Sequence, residues 1–85
     1  MDIEDKIRNK LCELAKLKKL TNSYLLQSDE ADNNNNSFIA AQSLNNYHAN
    51  INRYNELYLE TKDLSKYIDK KIFNKMVIET HNMYN

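Results

Sequence analysis

Glycine, proline and tryptophan are absent from this chain, and cysteine occurs once, as Cys12. A lone thiol excludes an intramolecular disulfide and gives no reason to infer an oxidising compartment. Without glycine or proline the chain lacks the strongest helix breakers, so long helices are favoured wherever the apolar pattern allows them. Part of that absence has another source. Asparagine, lysine, isoleucine and tyrosine abound and lysine far outnumbers arginine, a composition that follows A/T-rich codons, so periodicity is the better guide. Net charge is also missing: twelve basic residues offset twelve acidic ones, which leaves no overall field to draw the molecule to nucleic acid or to an anionic membrane. The longest apolar stretches, FIAA and MVI, are far too short to span a bilayer, and the opening MDIEDKIRNK is acidic where a secretory signal is basic and then apolar. The expectation is a soluble protein of the cytoplasm or another reducing intracellular compartment, with no membrane insertion.

What is present is amphipathic helix. Ile3, Ile7, Leu11, Leu14, Ala15, Leu17 or Lys18, and then Leu20, Tyr24 and Leu25 recur at spacings of three and four and form one stripe. A second stripe runs Ala40, Leu44, Tyr47, Ile51, Tyr54, Leu57, Thr61, Leu64, Ile68, Ile72 and Met76, with a mean spacing between those of a coiled coil and a straight helix. Between them lies SDEADNNNN, acidic and then asparagine-rich. The pattern predicts an N-terminal helix over 1–27, a flexible connector over 28–36 and one long helix over 37–85, with Asn36 or Ser37 as its N-cap.

The fold class expected is all-α: a two-helix antiparallel hairpin, or a coiled-coil-like component of a larger bundle, within a single domain. Its arms do not match. At about 1.5 Å per residue the first helix spans about 36–40 Å and the second about 70 Å, so the first covers the second only to the region of residue 64. The overhang carries Leu64, Ile68, Ile72, Phe73, Met76 and Val77, apolar surface of the kind that marks an interaction site. Another copy, a different helical subunit, or the chain's own last turns after a break near Asn74 would have to cover it.

Few residues suggest chemistry. Ser28, Asp29, Glu30 and Asp32 offer oxygens for a hard cation, but the EF-hand spacing and its turn glycine are missing, and a solvated connector is expected in place of a metal loop. His48 and His81 are far apart and show no zinc-ligand spacing, and no cofactor is expected. Cys12 adjoins the apolar stripe as a small packed thiol. Lys62, Lys66 and Lys70 form a basic ridge with Lys71 and Lys75 nearby, interleaved by Asp63 and Asp69. No aromatic stacking platform accompanies it, and nucleic acid is not the partner expected.

One stretch resembles a known family. IRNKLCELAKLKKLTNSYLLQSDEAD, residues 7–32, is similar to the small sporulation-type aspartyl-phosphate phosphatases, helical hairpins whose first helix reads L-R-x-x-L-x-x-L-A and whose second carries Ser-Gln-x-Leu-Asp. Ser28 and Asp32 match that motif's serine and aspartate, and the resemblance implies dephosphorylation of a response regulator with those two residues near the phosphoryl group. Asp29 stands where the motif has glutamine and Ala31 where it has leucine, and asparagines follow where the family continues an amphipathic helix.

The function expected from the residues is non-catalytic. The chain reads as a small helical subunit or adaptor, with a helical protein or a further copy of itself as partner, docking through residues 64–83. A helical-hairpin regulator or phosphatase working through Ser28 and Asp32 is the alternative, and a helical nucleic-acid accessory a second one.

Overall fold

A computed structural model describes residues 2–84, and within them the fold is all-α. Three helices follow one another: α1 (Ile3–Asn33), α2 (Ser37–Ser65) and α3 (Lys70–Tyr84). α1 and α2 pair along their length, while α3 turns back, packs on α1 and hardly touches α2. The molecule measures 50 × 22 × 19 Å.

α1 and α2 pack antiparallel, and the buried positions between them recur at seven-residue spacing. In α1 every seventh residue from Ile7 through Leu14 and Thr21 to Ser28 is buried, with Ala31 beyond. In α2 the seam is Ala40, Ser43, Leu57 and Thr61, with Tyr47, Asn50, Tyr54 and Leu64 half-buried at the same spacing. A seven-residue repeat keeps one face on its neighbour over many turns. Cross-helix contacts fix the direction: Lys10 Nζ donates to Glu60 Oε2 at 3.0 Å, Arg53 pairs with Glu13 at 3.5 Å, and Ser28 Oγ donates to the Ala40 carbonyl at 3.1 Å. Near the turn the seam is built of Ser28, Ala31, Ala40 and Ser43, small enough for one helix to reach the other's backbone.

Three buried threonines need no partner across the seam. Thr21, Thr61 and Thr80 each donate to the carbonyl four residues back, at 2.6, 2.7 and 2.8 Å, which satisfies the hydroxyl and leaves the methyl to pack. Among the described residues no buried side-chain nitrogen or oxygen lacks a hydrogen bond. The apolar core proper is short: Ile7, Leu14, Ala31, Ala40, Leu57 and Met76.

The connector is much tighter than the sequence suggests. The expected loop over 28–36 shrinks to residues 34–36, because Ser28 and Ala31 face α2 and hold that stretch helical. Asn36 N–H donates to the Ala31 carbonyl at 2.8 Å and Asn35 N–H to the Asp32 carbonyl at 3.1 Å, with Asn35 at φ 58. That is a Schellman stop, with asparagine in the left-handed position usually taken by glycine. Asn36 then caps α2 by accepting from Ile39 N–H at 3.2 Å, as its residue type suggests.

The single long helix over 37–85 is corrected: the chain breaks after Ser65. Ser65 Oγ donates to the Lys62 carbonyl at 2.6 Å, and Tyr67 and Ile68 N–H donate three residues back at 3.1 and 3.3 Å, tightening the last turn. Asp69 restarts the helix, its carboxylate accepting from Lys71 N–H at 2.8 Å and its carbonyl from Phe73 N–H at 3.0 Å. The break lets Met76 and Thr80 bury on α1. Apolar spacing alone did not mark it, because the four-residue rhythm from Leu64 to Met76 passes straight through.

The Lys10 hydrogen bond and charge, with Arg53 adding to them, hold the Glu60 carboxyl below the usual glutamate range. The folded protein therefore takes up that proton less readily than the unfolded chain. The pair's stabilisation is complete above the ordinary glutamate pKa and is lost as pH falls through the lowered value. Glu60→Gln is expected to flatten the acid limb of stability against pH and to leave the alkaline limb unchanged, which urea unfolding across a pH series reads directly.

Candidate docking cleft

Because α3 leans on α1 and not on α2, a cleft of about 710 Å³ opens between α2 and α3. Leu11, Leu14 and Ala15 of α1 form its floor. Tyr54, Tyr58 and Thr61 stand on the α2 wall, Phe73, Val77 and Thr80 on the α3 wall, and Ile68 belongs to the turn that joins them. The volume lies within the range of sites that take a ligand or an anchoring side-chain cluster. A smaller hollow of about 230 Å³ shares Lys18 and Tyr54 with the cleft and adds Thr21, Asn22 and Ile51.

The polar rim is of one sign. Lys18, Lys62, Lys66 and Lys70 all line the cleft, with His81, and no aspartate or glutamate does. Lys66 is paired with Asp63 at 3.2 Å. Lys18, Lys62 and Lys70 make no ion pair among the described residues. The basic ridge of the sequence is therefore only partly self-neutralised: Asp63 engages Lys66, while the Asp69 carboxylate is used as a helix cap.

The residues singled out on the overhang separate. Ile68, Phe73 and Val77 meet in the cleft. Met76 is 2 % exposed and turns inward to α1, Leu64 lies half-buried at the α2 seam spacing, and Ile72 is exposed away from the cleft lining. Tyr54 and Tyr58 line the cleft without being singled out by the sequence, since one continuous helix assigns them no concave surface. Lys18, a candidate stripe position in the sequence, joins Lys62, Lys66 and Lys70 at the cleft, a convergence that nothing local in the sequence marks.

Ser28 and Asp32 sit elsewhere, at the turn end. The Ser28 hydroxyl is buried and committed to the Ala40 carbonyl, and Asp32 is exposed with its backbone carbonyl in the Schellman stop. Cys12 is a half-buried free thiol, and His48 lies edge-on to Tyr47 with ring centres 5.3 Å apart. Among the described residues no three His, Cys, Asp or Glu side chains converge where a metal ion could be held, and no helix is long and apolar enough to cross a membrane.

No protein-family model, no curated protein and no solved structure matches the chain.

Proposed function

We propose that the protein is a non-catalytic helical interaction module that receives a helical protein partner in the cleft between α2 and α3. The observation that carries this reading is an apolar, helix-lined cleft whose rim is basic and free of acids. The amount of surface left uncovered supports it. The chain exposes 6209 Å², whereas a compact protein of 10.1 kDa exposes about 5,300 Å², so about 900 Å² lies in excess. Each partner in a standard interface contributes about 800 Å². The radius of gyration, 15.9 Å, likewise exceeds the roughly 12 Å of a compact chain of this length. A third helix that packs on one neighbour only leaves room for a fourth, and a four-helix bundle would close the cleft.

The phosphatase reading asks for Ser28 at an exposed working end, and its hydroxyl is instead turned into the seam. The test is a photo-crosslinking residue placed at Val77 inside the cleft, with Asn45, exposed on α2, as the control position. A discrete protein adduct from position 77 and none from position 45 is the expected result. A cleft that yields no adduct while the chain is intact and helical would sink the reading.

A further inference from the structure

We infer that the occupant of the cleft is a second copy of this chain, and that the segment it presents is the outward face of the last turns of α1. This rests on the docking role proposed for the cleft and names its partner. The argument begins with how a neutral chain distributes its charge. No lysine or arginine occurs between Lys19 and Arg53, where Asp29, Glu30 and Asp32 are the only formally charged residues. The remainder holds all twelve basic residues against nine acidic ones. The antiparallel pairing gathers residues 20–52 into the turn half of the 50 Å molecule and places the rest, with α3 and the cleft, in the other half. The molecule is thus negative at one end and positive at the other.

The negative end has apolar surface to match the cleft. Leu26 is 63 % exposed and Leu25 is exposed beside it. Asp29 and Glu30 follow Leu26 at i+3 and i+4, so on a helix they flank it on one face. All three carboxylates of this half are exposed and without an ion pair among the described residues. An apolar ridge that ends in carboxylates one turn on is the complement of an apolar trough lined by Lys62 and Lys70. Such pairing sets orientation and association rate through complementary potentials. The two surfaces lie at different ends of one molecule, so tip meets cleft either twice in an antiparallel two-fold pair or once per contact in a head-to-tail chain or ring.

Charge reversal at exposed positions tests this without touching the core. The tip variant carries Asp29→Lys with Glu30→Lys, and the cleft variant carries Lys62→Glu with Lys70→Glu. Light scattering over a wide concentration series is expected to show the parent chain rising above its single-chain mass of 10.1 kDa, with assembly reduced at about 1 M salt, where the Debye length falls to about 3 Å. Each variant alone should stay at the single-chain mass, having tip and cleft of the same sign. Mixed in equal amounts, or combined in one chain, they should regain assembly. A parent chain that remains at 10.1 kDa throughout overturns the self-association but not the docking role, which an adduct from Val77 to another protein would still support. Assembly that both variants retain overturns the cleft as its site as well.

Discussion

Leu57→Ala is expected to melt about 15 °C below the parent protein. Leu57 and Ile7 are the only large side chains with no exposed surface among the described residues, so the seam has almost no redundancy at this point. Truncating a buried leucine removes its transfer free energy and leaves a cavity, together about 3 kcal/mol. In a domain of this size each kcal/mol moves the midpoint by about 5 °C. The flanking seam residues cannot close the hole: Thr61 is tied to the Leu57 carbonyl, and Tyr54 is committed to the cleft wall. Leu59→Ala, two residues away but 65 % exposed, is the matched control and should shift the midpoint by about 2 °C or less. Calorimetry of the two variants decides it, and equal shifts would mean that the α1–α2 seam is not where α2 is held.

The second large effect concerns the break between α2 and α3. Removing its cap with Asp69→Ala should weaken the fold by about 1 kcal/mol yet leave α3 folded back, because burying Met76 on α1 contributes more, about 2 kcal/mol. Asp69→Ala combined with Met76→Lys removes both restraints. The apolar rhythm and the absence of glycine and proline then favour a continuous helix from Ser37 onward. The longest dimension should rise from 50 Å to about 70 Å, and helicity should rise slightly as residues 66–69 join the helix. Small-angle scattering with circular dichroism separates this from melting. A longer particle with less helix would show that α3 unravels when released and does not fuse to α2.

That balance explains how much was legible beforehand. The all-α class, the places of Ile7, Leu14, Ala40, Leu57 and Thr61 on inward faces and the Asn36 cap all follow from periodicity and side-chain type. Thr21, Ser28 and Ser43 do not advertise burial, since short hydroxyl side chains are as common on surfaces as in seams. The apolar spacing puts Leu20, Leu25 and Leu44 in their places, and the structure leaves these three exposed. The cleft was legible only as parts. Ile68, Phe73 and Val77 stand out as apolar surplus and Lys62, Lys66 and Lys70 as a ridge, but their convergence depends on a reversal set by one carboxylate cap and by burial on a helix that ends more than thirty residues earlier. Local pattern carries no information about such a contact.

The turn between α1 and α2 stands on a run of four identical residues, of which Asn35 alone takes the left-handed conformation and Asn36 alone caps the next helix. A gain or loss of one asparagine codon in that run falls between the two seams, so the seven-residue phase within α1 and within α2 is left as it was. Homopolymer slippage, which shifts the phase of a helix when it strikes within one, is here confined to the one stretch of the chain where the same letter can be read at every place.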